Sequence, residues 1–346
     1  MKAVVYREPE RFAVEELTDR ALEHGEVRVR NLVVGICGTD QHLHIGEFGP
    51  RYPLIPGHEI AGEVVELGPG VDDLAIGDRV AIDNTIYCLH CDACKRGDFN
   101  FCANGVALGV QEAGGFAEYT IAAAAKIYPI GDLPLDAAAL IEPTACVVHG
   151  LDVLDLRPGA NVLITGAGPT SQILAQLIVR GGAASVTVAA PTRYKLDLAE
   201  RHGVTQTVLL DRNDFRASRP DLERIAPNGF DVVIEATGAT GILDHILSHV
   251  RSGGTLMVYG MASEAATVSF RPFEIFRREI TIKGSFAQSY GFARAIDLLR
   301  AGKVLTDGII THRFGLDEYA AALDALRAPD CLKAVIEPQR AASAAY

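Results

Sequence analysis

Residues Gly35 to His42 read Gly-Ile-Cys-Gly-Thr-Asp-Gln-His, and Gly57-His58-Glu59 follows a short way on. Cys37, His58 and Glu59 offer a thiolate, an imidazole and a carboxylate, all of which zinc accepts, and three protein ligands leave one coordination position for water or substrate. An open site of that kind is catalytic. Taken singly, a cysteine in a strand and a histidine after a turn are ordinary core residues. The glycines at 35, 38, 57 and 62 mark tight backbone at both segments and favour a built metal site.

A second group is Cys88, Cys91, Cys94 and Cys102, separated by two, two and seven residues. Four thiolates at that spacing close a tetrahedral zinc shell and staple a lobe, residues 84–104, that has little core of its own. An iron–sulfur cluster also takes four thiolates, but the redox work has a better candidate further along the chain. His90 reads as solvated, because four cysteines already fill the site. Glu142 lies in an apolar run just before Pro143, where a carboxylate is costly to bury unless it is paired or bound to a cation. A direct or water-bridged fourth position at the Cys37 site would satisfy it; the alternative is an acid at the N-terminus of a helix.

The redox candidate begins at Ala160 to Thr165, an almost wholly apolar strand that leads into Gly166-Ala167-Gly168-Pro169-Thr170-Ser171 and a helical run from Gln172 to Arg180. A glycine-rich turn between a buried strand and a helix lets backbone N–H groups and the helix dipole approach a pyrophosphate, which makes Gly166, Gly168, Pro169 and Thr170 dinucleotide-binding candidates. Ser171 replaces the third glycine of the fingerprint. The next strand, Ala184 to Ala189, lacks the acid that would hold a ribose 2′-hydroxyl about 20 residues after the fingerprint. It offers Ala190, Thr192, Arg193 and Lys195 instead. With no carboxylate to repel a 2′-phosphate and cations to neutralise it, NADP is preferred and NAD remains possible. Alternatively, Arg193 and Lys195 are a solvated first helical turn.

These residues need a scaffold. Up to residue 150 the chain shows short alternating runs between turn residues, such as Val27-Arg28-Val29-Arg30 and the glycine-bounded runs at 62–68 and 77–82, which predict a small barrel or sandwich. Beyond it, buried strands at Asp231 to Gly238 and Gly254 to Gly260 alternate with helical segments such as Gly241 to Val250, predicting a doubly wound parallel sheet. Ligands bind at the carboxyl ends of such strands, so the loops at Thr237-Gly238 and Gly260 should face the cofactor. Helices at Phe292 to Ala301 and Leu316 to Leu326, a strand at Lys333 to Ile336 and a frayed tail at Ala341 to Tyr346 complete the chain.

At 346 residues the chain fits two domains. Its formal charge of −12 and lack of a basic stripe argue against nucleic acid as a partner. The first residues lack the apolar core of a signal peptide and no apolar run reaches the roughly 18 residues of a membrane span, so a cytoplasmic protein with its seven cysteines reduced is expected.

Together, Gly35 to His42, Gly57-His58-Glu59, the cysteine quartet, Glu142-Pro143 and Gly166 to Ser171 resemble, in content and order, the zinc-containing medium-chain dehydrogenase/reductases of the sorbitol-dehydrogenase-like branch. The resemblance covers essentially the whole length. It implies an α/β chain: a GroES-like β-barrel catalytic domain over residues 1–150, a Rossmann cofactor-binding domain over 151–287, a segment 288–346 returning to the catalytic domain, and an active site in the cleft between the domains. It makes Cys37 and His58 ligands of a catalytic zinc, with Glu59 and Glu142 as carboxylates that bind it directly or through water, and gives the chain two zinc ions. Thr39 matches the hydroxyl that accepts the substrate's alcohol proton, His42 the group that relays it to solvent, and Lys283-Gly284-Ser285 the segment near the nicotinamide.

The activity so implied is hydride transfer between a secondary alcohol or polyol and NADP, by a homodimer or homotetramer. NAD-dependent oxidation of threonine, a sugar-alcohol phosphate or a simple secondary alcohol is the alternative, and a non-catalytic NADPH-binding protein a remote one. One departure bears on substrate: where sorbitol dehydrogenases carry an Arg-Tyr pair, this chain has Ala287-Gln288.

Overall fold

The computed structural model describes residues 1–340, so the tail expected to fray lies outside the described residues. The chain divides into two compact units. One comprises Met1–Ala145, Ser289–Arg300 and the chain from Thr306 on; the other comprises Cys146–Gln288 and Ala301–Leu305. The division falls at Ala145, five residues before the expected boundary and within the helix Ile141–Leu154.

The first unit is organised around its longest strand, Glu26–Ile36. Glu59–Leu67 runs antiparallel along one edge of it. Along the other edge Tyr119–Ala123 pairs with its first half and Lys333–Ile336 with its last residues, so the C-terminal part of the chain completes the sheet. Seven strands share this sheet. Its buried face gathers Val27, Val29, Val34, Ile36, Ile60, Val64 and Ile82 against Phe116 and Tyr319. Each such side chain removed from water contributes about 1.5–3 kcal/mol, and that burial holds both edges of the central strand in register. Within the region read as strand after strand lies one seven-residue helix, Gly38–His44, directly after the central strand.

The second unit holds six parallel strands in the spatial order Gln206–Leu209, Ser185–Ala190, Asn161–Thr165, Phe230–Glu235, Val250–Val258, Thr281–Gly284. Numbered along the chain this is 3-2-1-4-5-6, so the winding reverses between Asn161–Thr165 and Phe230–Glu235. The helix expected from Gly241 to Val250 stops at Ile246 and gives way to a 3-10 turn, and the following strand starts at Val250 instead of Gly254. Gly253 adopts φ +70°, where the pairing with the neighbouring strand slips in register; a glycine that reads as a break is here an irregularity inside a continuous strand. Among the described residues, no helix is long and apolar enough to cross a membrane.

Candidate metal centre and dinucleotide face

Cys37 follows the central strand and serves as N-cap of the helix Gly38–His44. Its N–H donates to Asp40 Oδ2 at 2.9 Å, which locks the turn at the helix start. On this helix Thr39 places its hydroxyl 3.7 Å from Cys37 Sγ, and one turn later His42 pairs through Nδ1 with the Glu47 carboxylate. His58 and Glu59 arrive on the neighbouring segment, whose register sets Glu59 directly opposite Gly35.

On the other side of Gly35, Val335 is its partner, and Lys333 stands two residues before Val335. Glu59 and Lys333 reach over Gly35 and form an ion pair, each residue only 2% exposed. A Cβ at position 35 would sit 1.7 Å from Glu59 Oε2 and 3.0 Å from Lys333 Cε, so only glycine admits this pair.

The ligating atoms of Cys37, His58 and Glu59 lie within 4.8 Å of one another. Asp40 Oδ1 approaches His58 Nδ1 to 3.9 Å, and both atoms are buried without a hydrogen-bond partner. Burial pushes His58 toward neutrality, but its hydrogen bond to Cys37 and the charges of Asp40, Cys37 and Glu142 overcome it and hold the imidazolium up to about 10. Burial likewise lowers Lys333, yet Glu59, Cys37 and Glu142 leave it above its ordinary value. Two buried bases drawn toward their charged forms report a strongly negative enclosed field. A thiolate, an imidazole and a carboxylate converging in such a field fit a soft-to-borderline divalent cation.

Glu142 occupies the first turn of the helix Ile141–Leu154 and is half-buried. It falls outside the close three-residue set but near enough for its charge to act on His58 and Lys333. Helix-terminal acid and electrostatic neighbour of the site are thus compatible roles.

The four lobe cysteines also converge, their sulfurs within 4.8 Å of one another. The N–H of Cys88 points at Cys102 Sγ at 3.3 Å and that of Cys91 at Cys88 Sγ at 3.4 Å, while the short helix Asp92–Arg96 carries Cys94 inward. Hydrogen bonding from the His90 backbone holds the Cys88 thiol down, whereas burial pushes Cys94 up. Four crowded sulfurs become thiolates together when a cation neutralises them. His90 itself is exposed.

In the second unit, Gly166 takes φ +99° and Gly168 caps the helix Pro169–Arg180 with Pro169 in its first turn, so Gly166, Gly168, Pro169 and Thr170 form one strand-to-helix turn. The strand Ser185–Ala190 ends at Ala190, and Thr192 caps the helix Arg193–Arg201. Arg212 Nη2 donates to Thr192 Oγ1 at 3.3 Å. Arg193 lines a groove along the edge strand with Glu200, Leu209 and Asp221, and the Lys195 ammonium rests 5.8 Å from the centre of the Tyr194 ring. Thr237-Gly238 and Gly260 follow the carboxyl ends of adjacent strands. Ser285 directly follows the strand Thr281–Gly284, its hydroxyl buried and without a hydrogen-bond partner. Ala287 adopts φ +51° and Gln288 is buried.

Sequence reasoning gave no role at the site to Asp40, Glu47, Lys333 or Arg212. For Lys333 a signal existed: it opens a four-residue strand whose every member is buried, where an ammonium requires a partner. Asp40, three residues after a helix-capping position, had the spacing of a capping acid. Glu47 and Arg212 become visible only once loops are folded.

Residues 23–132 match the alcohol dehydrogenase GroES-like domain, and residues 169–301 the zinc-binding dehydrogenase domain. The chain is 43% identical over 339 residues to D-arabinitol dehydrogenase 1 of Uromyces fabae, covering 98% of this chain and 97% of that one. It is 33% identical over 323 residues to D-altritol 5-dehydrogenase of Agrobacterium fabrum, covering 92% and 94%. Among solved structures, a zinc-binding dehydrogenase from Sinorhizobium meliloti bound to NADP superimposes with a TM-score of 0.90 at 32% identity, covering 97% of this chain and 99% of that one.

Proposed function

Because the chain belongs to the zinc-binding alcohol dehydrogenase family and is an alcohol or polyol oxidoreductase, we propose that it oxidises a secondary hydroxyl of a pentitol of the arabinitol type to the ketose, with NADP. One zinc is held by Cys37, His58 and Glu59, with Glu142 close enough to join directly or through water; a second is held by Cys88, Cys91, Cys94 and Cys102. The observation that carries this reading is the convergence of Cys37, His58 and Glu59, whose ligating atoms lie within 4.8 Å of one another, in a chain 43% identical to a D-arabinitol dehydrogenase.

When bound, zinc supplies Lewis acidity to the substrate hydroxyl and the nicotinamide supplies a hydride acceptor. The chain does the rest. Thr39, 3.7 Å from the Cys37 sulfur, takes the alcohol proton, and His42 passes it to solvent while the Glu47 carboxylate fixes its ring. Asp40 orients His58 from behind, and Lys333 pairs with Glu59 across Gly35. The turn from Gly166 to Thr170 receives the pyrophosphate. Thr192 with Arg212, joined by Arg193 and Lys195, receives the 2′-phosphate, and the absence of an acid after Ala190 supports NADP over NAD.

A homo-oligomer, dimer or tetramer, is supported by the outer edge of the strand Thr281–Gly284, unpaired among the described residues and with Ile282 exposed, and by Phe273 and Phe276, 69% and 79% exposed on the preceding helix. Turnover of a panel of pentitols, hexitols, secondary alcohols and threonine with each cofactor tests the proposal. D-Arabinitol with NADP should give the highest kcat/KM; faster turnover of threonine or of a monohydric alcohol would overturn the substrate class.

A further inference from the structure

Glu235 is the last residue of the strand Phe230–Glu235 and is fully buried, at 0% exposure. A carboxylate in that position demands donors, and it has them. Oε1 accepts from the Thr237 N–H at 2.7 Å and from the Thr237 hydroxyl, and Oε2 accepts from the Gly238 N–H at 3.0 Å. Its own carbonyl accepts from the N–H groups of Tyr259 at 2.9 Å and Gly260 at 2.7 Å. One residue therefore grips its own loop through the side chain and the next strand's loop through the backbone. Burial pushes the carboxyl up, and the donors from Thr237, Gly238 and Thr165 pull it back.

Its place in the sheet gives this grip a use. Glu235 pairs in register with Thr165, across the point where the winding of the sheet reverses and where open α/β sheets bind their ligands. The loops there are in contact with no slack. A Cβ on Gly260 would lie 2.3 Å from the Gly238 nitrogen and 2.4 Å from that of Thr237; one on Gly166 would lie 2.8 Å from Thr237 Cγ2. Gly238, at φ +72°, is pressed against the Met261 carbonyl, 1.9 Å from where its Cβ would be. A displacement of Thr237-Gly238 must therefore move the Gly166 turn and the Gly260 loop with it.

We propose that Glu235 is a positioning residue for the dinucleotide: its carboxylate sets the Thr237-Gly238 backbone, and through it the Gly166 turn and the Gly260 loop, as one rigid seat. This rests on the reading above that this face holds the cofactor. The seat lies below features shared by NADP and NAD, so its loosening weakens both alike, unlike the loss of a 2′-phosphate contact.

The test is Glu235→Gln, which keeps the shape but turns an amide donor toward N–H groups that need an acceptor. With D-arabinitol, KM for NADP and KM for NAD should each rise about tenfold, with kcat at saturating cofactor and KM for the polyol each changed by less than about twofold. Thr237→Val, at an exposed position, removes one of the carboxylate's donors without endangering the fold and should move both cofactor KM values in the same direction; Thr237→Ser, which keeps the hydroxyl donor, should move them less. Direct titration of the wild type with NADPH and NADH, read by nicotinamide fluorescence, separates the two levels. Wild-type protein that binds neither sinks the cofactor reading and this proposal together. Normal wild-type binding, with unmoved cofactor KM values in Glu235→Gln and Thr237→Val and only a lower melting point, sinks this proposal alone. If Glu235→Gln does not fold, Thr237→Val decides.

Discussion

Replacing Lys333 with methionine removes one member of the buried pair that passes over Gly35 and leaves Glu59 with no cation in the metal-free protein. Breaking an enclosed ion pair by deleting one partner costs about 3–5 kcal/mol, because the survivor stays desolvated. For a unit of roughly 200 residues, each kcal/mol is worth about 2–4 °C, so the metal-stripped variant should melt about 6–20 °C below the stripped wild type. With zinc restored, the metal compensates the Glu59 charge and the gap should shrink to less than about half, since a ligand bound to the native state adds stability in proportion to its occupancy. Thermal scans of wild type and K333M, each with and without chelator, supply the four melting points. An equal gap in both states, or none in the stripped protein, would refute the idea that Lys333 stands in for the cation at Glu59.

Two further outcomes follow from the same geometry. Cys37→Ser should lower turnover by about a thousandfold, the several kcal/mol that a Lewis acid supplies, with circular dichroism unchanged, whereas Cys94→Ser should mainly lower the melting point; equal loss of secondary structure in both would contradict the division between the two sites. Arg212→Ala should raise KM for NADP about tenfold while changing KM for NAD by less than about twofold, and more than Arg193→Ala does, because Arg212 already contacts Thr192 whereas Arg193 lies in the groove with Glu200 and Asp221; equal effects on both cofactors would remove the 2′-phosphate assignment.

Burial holds His249 down at about 4, against an ordinary value of 6.5. A histidine depressed in the fold is protonated preferentially in the unfolded chain, so its contribution is whole above 6.5 and is lost as pH falls toward 4, by about 3 kcal/mol in total. His249→Phe, which keeps a ring edge-on to Phe215, should flatten the stability curve within that window; a variant as pH-sensitive as the wild type would contradict it.

The candidate site was more legible in the sequence than its supports. That Cys37, His58 and Glu59 come together could be read from residue type and flanking glycines, because few side-chain types can serve a metal. The parallel sheet was legible because Asn161–Thr165 and Phe230–Glu235 are apolar runs bounded by glycine. What escaped depends on contacts distant along the chain. Lys333 reaches Glu59 only because the C-terminal strand pairs beside Gly35, and Arg212 meets Thr192 only through the order of the parallel strands. The helix Gly38–His44 went unseen because it is seven residues long, too short for a helical period to stand out. The start of the next strand was misplaced at Gly254, since a glycine that bounds a strand and one that bends it look alike in a sequence.

Metal content and polyol oxidation measured on the same preparations bear most directly on the central claim, that Cys37, His58 and Glu59 hold the zinc at which the alcohol reacts. Wild-type protein should carry two zinc ions per chain, and Cys37→Ser one, with oxidation of D-arabinitol lost in the variant and returned to chelated wild type by added zinc alone. Undiminished oxidation by a preparation that retains only the lobe zinc would contradict it.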